Sequence, residues 1–456
     1  MKHRPSRDMI HLPRDKIYLL TGLLGAVGII AIAYGFEYKA AKASEAVLST
    51  YFKVWSWAFL LCLAGIARGT ALSRTEAATS LELPDWVASV LTAITLASSV
   101  YFWLPTRHAV PVAIAIIAAC ASFHWLRRDH LCTAFLLLAG FGLCCYLVAT
   151  VPIDRSGADM LPIIADADHF LLAGHNPYAQ TYSNWFYYLP VQWLVFLPLT
   201  AAGVDLRLLN LACFAVVGCL SLWLIRSGRL DKIALLGLCP IILSRSSMEM
   251  VLRGQVWPLW ALLVGFAATL LSPGRLWPAF LLGILLGTQQ PTVAIAALTG
   301  TWLLFHRGVA SAWWVAVIAT GVFALIIAPW MILRPSLLVD LYIHIQQTLT
   351  PDQAIGQHRG PGQVSILNLL QSMDLTSIRR ALQAGAVATG MLYLAFARNV
   401  RLGTFLCTVG LVYLVAISLN VQVFKYYYYP GFLLLAIGIA VPANRVDIGR
   451  TGVRSG

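Results

Sequence analysis

The sequence predicts an all-α, polytopic integral membrane protein, and three observations carry that expectation. Only 11% of the 456 residues are charged, against roughly 25% in a soluble domain. Mean hydropathy is +0.76. Apolar segments of spanning length recur from near Ile17 to near Val441 with no polar domain between them, although a soluble chain of this size would divide into about three domains.

A spanning helix needs about 20 apolar residues. Five early segments fit, at about 17–35, 53–72, 85–104, 108–126 and 131–152. Nine more follow at about 206–226, 232–246, 255–272, 276–290, 292–306, 310–333, 380–398, 402–419 and 428–443. Phe186–Ala201 is short and holds Pro190 and Pro198. If that segment is re-entrant, Arg226–Lys232, Arg275, Arg307, Arg398–Arg401 and the C-terminal tail all fall on the cytoplasmic side, as basic loops do. This count gives about 14 crossings with both termini cytoplasmic. The first apolar stretch, Ile17–Tyr34, is too long for the core of a secretory leader, so no cleavable signal is expected.

The net charge of +13 does not point to nucleic acid. Its basic residues sit at the N-terminus (Lys2, Arg4, Arg7, Arg14, Lys16), in short turns and in the tail, not on one clustered face. All nine cysteines lie in apolar segments without zinc-ligand spacing, and read as small fillers of helix contacts. Residues 1–130 lack motif-like polar residues and read as an accessory group of transmembrane helices. Residues 131–442 form the module that carries chemistry, and 443–456 a basic cytoplasmic tail.

No phosphate-binding loop, dinucleotide fingerprint, HExxH or GxSxG is present. What stands out is the outer loop Ile153–Tyr178, which holds four of the 19 acids: Asp154, Asp159, Asp166 and Asp168. A short helix over Leu161–Leu172 would end at Gly174. On it, Asp159, Asp166 and His169 share one side while Asp168 points elsewhere. A carboxylate at a membrane boundary is a candidate general base, because partial burial raises its pKa. The alternative is a solvated loop whose acids cap helices and balance Arg155.

Three cations, Arg245, Arg253 and Lys425, flank apolar segments on the same expected face, where Arg suits a bidentate grip on phosphate. Snorkelling to lipid headgroups explains each one equally well, and Glu249 stands one helical turn before Arg253 as an ion-pair partner. Gln289-Gln290-Pro291 interrupts an apolar stretch and leaves backbone groups to be satisfied. The run Lys425-Tyr-Tyr-Tyr-Tyr-Pro430 reads as an interfacial aromatic belt, or as rings for stacking on sugar.

The order of these motifs resembles the GT-C glycosyltransferases, and within them glycosyltransferase family 87, the polyprenol-phosphate-mannose-dependent mannosyltransferases. The segments that carry it are Asp159 followed 15 residues later by Gly174-His-Asn-Pro-Tyr178, then Phe186-Tyr-Tyr-Leu-Pro190 and Phe196-Leu-Pro198. Later come Arg253-Gly-Gln255, Gly283-Ile-Leu-Leu-Gly-Thr-Gln-Gln-Pro291, Gln363-Val-Ser365 and Phe424–Pro430. In three places the chain departs from the family pattern: Tyr188-Leu-Pro190 replaces Tyr-Pro-Pro, Trp257 replaces Asn, and Gln290 replaces Lys.

The resemblance implies a transferase that moves a hexose, mannose-like, from a polyprenyl-phosphate donor to an extracytoplasmic glycan or glycolipid acceptor, with inversion. Asp159 would take the proton from the acceptor hydroxyl. Asp166, His169, Asn176 and Tyr178 would shape the acceptor or orient the base by hydrogen bonds. Arg and Lys at the interface would hold the donor phosphate, and the substrate-binding set as a whole adds Tyr188, Arg245, Arg253, Gln255, Gln290, Lys425 and Tyr426. The implied partners are the lipid-linked sugar, the acceptor and the bilayer, with no cofactor and no required metal. Two other classes compete. A transporter or lipid flippase would be expected to show inverted repeats and acids at the bilayer midplane. A polysaccharide polymerase or ligase would carry a large late outer loop, as 334–379 does.

Overall fold

The computed structural model describes residues 9–37, 45–72, 80–84, 86–126, 129–153, 160–178, 188–272, 274, 276–341, 364–397, 400–420 and 425–442. In chain order the early helices are α1 Arg14–Glu37, α2 Glu45–Leu72, α3 Trp86–Trp103, α4 Thr106–Trp125 and α5 Asp129–Thr150. Short helices α6 Met160–Leu172, α7 Pro190–Leu194 and α8 Leu197–Ala201 follow. Next come α9 Arg207–Arg226, α10 Ala234–Leu243, α11 Arg245–Arg253, α12 Trp257–Leu270, α13 Leu276–Leu286, α14 Thr292–His306 and α15 Val309–Leu333. The chain closes with α16 Leu337–Val339, α17 Ile366–Ser372, α18 Arg379–Phe396, α19 Leu402–Ser418 and α20 Tyr429–Ala440.

The protein is thus a helical membrane protein, with two departures from expectation. One is a two-stranded antiparallel ribbon, β1 Met9–Pro13 against β2 Ser80–Pro84, with Ile10 opposite Leu83 and Leu12 opposite Leu81. Ile10-His-Leu12 and Ser80-Leu-Glu-Leu83 alternate apolar and polar residues, the two-residue period of a strand. The other concerns the spans. Among the described residues seven helices are long and apolar enough to cross a membrane, or eight if α10 and α11, bent by 45°, count as one. Several apolar segments expected to span form helices of only 10–17 residues, about 15–26 Å at 1.5 Å per residue, short of a hydrocarbon core of about 30 Å. Proline or glycine trims them: Pro258 opens α12, Pro430 opens α20, and Gly287 follows α13.

Polar cross-links sort the molecule into two ends. At one, the Arg207 guanidinium donates to the Val151 carbonyl, Ser99 Oγ donates to Leu243 O at 2.9 Å, and Tyr428 Oη donates to Val364 O. At the other, Lys16 pairs with Asp231 at 3.2 Å and donates to Val441 O at 3.3 Å, while Trp302 Nε1 donates to Val400 O at 3.1 Å. The motif segments described, 160–178, 245–257, 287–291, 334–341, 364–368 and 425–429, belong to the first end.

Residues of α1 to α4 share one continuous apolar core with α9 to α15 and α18 to α20. Leu23 and Ala26 are buried in it, and Ser56 of α2 accepts from the Ser365 N–H at 3.1 Å. The N-terminal helices are therefore built into the bundle. A second, separate core forms at the motif end. Leu161, Ile164 and Ala167 of α6 pack there with Leu189, Trp193 and Phe196, Ile327 and Trp330 of α15, and Leu337 and Leu341. The 190–201 segment is a pair of short helices folded into this cap, and is too short to cross.

Helices α19 and α20 approach so closely that backbone touches backbone. A Cβ on Gly410 would lie 2.8 Å from Gly431 O and 3.0 Å from Leu435 N, and neither atom can move aside. We expect Gly410→Ala to destabilise the protein by roughly 1–3 kcal/mol through overpacking, read as a lower thermal midpoint in detergent. Gly142→Ala, where a Cβ meets nothing within 4 Å, should show no such loss.

Candidate functional site

The motif loop is built by ordinary helix termination. Gly174 takes φ +81°, the left-handed region, and the His175 N–H returns to Phe170 O at 2.9 Å. Asn176 then makes a turn by accepting the Tyr178 N–H on Oδ1 at 3.0 Å. Tyr178 fastens the loop. Its ring packs edge-on to Trp193 and Trp330, its hydroxyl donates to Tyr188 O at 2.8 Å, and Trp193 Nε1 donates back to it at 2.9 Å. Arg334 Nη1 donates to Tyr178 O at 2.6 Å and pairs with Asp340 at 2.9 Å. Tyr178, expected as an acceptor contact, is thus an interior anchor, because two indoles and both hydroxyl bonds enclose it. Tyr188 serves through its carbonyl.

On α6 the three polar residues diverge. Asp166 is half-buried and His169 exposed, on the outward side. Asp168 faces inward and is 0% exposed, its Oδ2 accepting from Thr200 Oγ1 of α8 at 2.6 Å. Its other oxygen, Oδ1, has no hydrogen-bond partner. Burial pushes this carboxyl up to about 6, opposed by the Thr200 bond and by His169. Asp154 and Asp159 lie outside the described residues.

A second polar group gathers at the break between α10 and α11. Ser244 caps α11 by accepting the Ser247 N–H at 3.3 Å and shares a 2.8 Å hydrogen bond with Tyr429 Oη. Tyr429 stacks on Trp260, 4.8 Å between centroids. Arg253 Nη1 meets Glu249 Oε1 at 3.0 Å, the ion pair that the four-residue spacing allows. Arg245 lies over the Phe102 ring, 3.0 Å to its centroid. Gln255 is buried with Oε1 unpartnered, and Arg253 Nε is likewise buried without an acceptor.

Asn210 joins the two groups. It sits one turn beyond Leu206, which belongs to the cap core, and its amide donates to Val251 O at 3.1 Å and to Gly254 O at 2.7 Å. The 287–291 turn reaches the same cap. The Val191 N–H donates to Gly287 O at 2.9 Å and Gln290 Nε2 to Leu341 O at 3.3 Å. Gln290 therefore ties two turns together. Its neighbour Gln289 is the buried one, with Oε1 unpartnered.

The tyrosine run is neither a belt nor an open stacking surface. Tyr426, Tyr428 and Tyr429 are buried, with Tyr428 packed on Phe59 of α2. The reason is that the run turns inward as a 3-10 turn, Lys425–Tyr428, leading into α20. Lys425 opens that turn, and its side chain lies outside the described residues.

Sequence reasoning missed Thr200, Asn210 and Ser56. Each is a single polar residue in an apolar stretch, and only the partner it meets gives it meaning. Among the described residues no group of three or more His, Cys, Asp or Glu is placed to hold a metal ion.

Asp168 carries a prediction. Below about pH 3.8 folded and unfolded chains both hold its proton; between 3.8 and about 6 only the folded chain does. Folded stability contributed by this group therefore falls across that window and is level above it. Asp168→Asn keeps an acceptor for Thr200 and removes the titration. The thermal midpoint of the parent protein should drop more steeply over this window than that of the variant.

No family model, curated protein or solved structure matches this chain.

Proposed function

We propose that this protein is a membrane glycosyltransferase that moves a hexose from a polyprenyl-phosphate to an extracytoplasmic glycan or glycolipid. The observation that carries the reading is the concentration of unspent, buried hydrogen-bonding capacity at one end of the bundle. Asp168 Oδ1, Asn176 Nδ2, Arg253 Nε, Gln255 Oε1 and Gln289 Oε1 are all buried without partners. Such groups are costly unless something fills them, and a sugar, with a donor and acceptor on every hydroxyl, is suited to them. The motif order that resembles glycosyltransferase family 87 runs through these same segments. On this reading about 14 apolar segments, the shorter helices together with the turns that flank them, cross the cytoplasmic membrane in a GT-C arrangement, with both termini cytoplasmic.

The chemistry needs a base and an electropositive grip. Asp159, directly before α6, takes the proton from the acceptor hydroxyl as that oxygen attacks the anomeric carbon; the bond to the lipid phosphate breaks on the opposite face, inverting the centre. Arg253 and Arg245 supply positive charge for the leaving phosphate, so the step requires no metal. Asp166 and His169, outward on α6, contact the acceptor.

We expect Asp159→Asn to cut hexose release from radiolabelled polyprenyl-phosphate hexose by about 100-fold or more, with the protein still inserted and folded. Turnover near that of the parent overturns the assignment. Arg253→Ala should raise the donor KM about tenfold and leave the acceptor KM unchanged. Because Glu249 is buried and would lose the Arg253 end of its ion pair, the double variant with Glu249→Gln separates lost binding from lost stability.

The bend between α10 and α11 favours one other reading, a transporter, in which broken helices line a midplane site. Uptake of substrate into proteoliposomes without cleavage of any sugar–phosphate bond would select it.

A further inference from the structure

Two arginines among the described residues are more than nine-tenths buried, Arg207 at 4% exposed and Arg379 at 7%. Their surroundings differ. Arg207 pairs with Asp205 at 2.5 Å and donates to the Val151 carbonyl. The Arg379 side chain makes no hydrogen bond or ion pair with any described residue, and its Nη1 is buried without an acceptor. Asp374, the nearest acid along the chain, is exposed and forms no ion pair with it. Arg380 is exposed as well, and adds a like charge where a counter-ion is wanted. A buried cation without an anion is strongly unfavourable.

Arg379 is the first residue of α18, a helix of 18 residues. The far end of α18 lies at the Lys16 end of the bundle, where Leu394 O bonds His306 Nε2 at 2.7 Å. Its start is therefore at the motif end. One turn in from Arg379, Gln383 Nε2 donates to Ala416 O at 3.0 Å, which sets this start beside the end of α19. Ile378, the residue before the helix, offers no side-chain acceptor to the first turn. The positive end of the helix dipole is thus left without a side-chain cap. Helical side chains slant toward the N-terminus, so the guanidinium is carried to that same end.

We propose that Arg379 and the start of α18 bind a phosphate group at the motif end of the bundle. The guanidinium presents two parallel N–H donors to two phosphate oxygens, and the helix start favours negative charge on the rest of the group. The phosphate is that of a lipid headgroup or a free phosphate; the recognition chemistry is the same, and the source is read from the experiment. The site uses none of the residues assigned to sugar transfer, so the inference does not depend on that reaction.

The full chain in detergent and phosphate-free buffer tests it, with inorganic phosphate, phosphatidic acid and diacylglycerol of the same acyl chains as probes. Native mass spectrometry reads lipid retention, and the thermal midpoint reads stabilisation. We expect at least one phosphate probe to raise the parent's midpoint, with diacylglycerol inert, and Arg379→Met to weaken that probe's binding about tenfold. Stabilisation by inorganic phosphate assigns a soluble source; stabilisation by phosphatidic acid alone, with its retention above that of diacylglycerol, assigns a lipid. Without any probe, Arg379→Met should melt at or above the parent, since it removes an uncompensated buried charge. A lower midpoint there makes Arg379 a support of the fold and overturns the proposal. An inert response to both phosphate probes overturns it, as does unchanged binding in Arg379→Met. Arg380→Met should keep the response; an equal loss in that variant reduces the effect to surface charge and also overturns the site.

Discussion

A polar group taken out of water into hydrocarbon must find its partner inside the protein, and most of this architecture follows from that constraint. Helices satisfy their own backbones; where they stop, the freed groups reach sideways. Arg207 takes up Val151 O, Asn210 takes up Val251 O and Gly254 O, and Trp302 takes up Val400 O. These bonds sit at helix ends, so they knit the bundle at two levels and leave the middle to apolar packing.

The middle is held by shape. Where lipid tails are as apolar as leucine, helices gain by close approach, and small residues permit it. Gly410 against Gly431 and Gly403 against Gly438 bring α19 and α20 into backbone contact, and α20 lies almost wholly buried as a result. At the motif end the logic is that of a small soluble core. Trp193, Trp330 and Tyr178 form an aromatic knot that holds α6 to the end of α15. That knot keeps Asp168 beneath the surface, where one oxygen is satisfied and the other is not.

The sequence disclosed the helical membrane class, the short helix of α6 with its stop at Gly174, and the unequal faces of Asp166, Asp168 and His169. It also showed the pairing of Glu249 with Arg253. These are local matters, set by hydrophobic length, a 100° step per residue and a one-turn spacing. The tyrosine run was not legible in this way. A belt and a buried turn have the same composition, and only the meeting with Phe59, Ser244 and Trp260 separates them. The integration of the N-terminal helices was hidden for the same reason: Ser56 is an unremarkable serine until Ser365 arrives from more than 300 residues away.

Composition and spacing by themselves determined that this chain lives in a bilayer and where its polar residues interrupt the apolar run, because burial in lipid acts on each segment separately. Tertiary structure alone decided which of those polar residues are spent on one another and which keep a vacant lone pair or proton. That division depends on partners far apart in the chain, whose approach is fixed by packing and not by any local pattern.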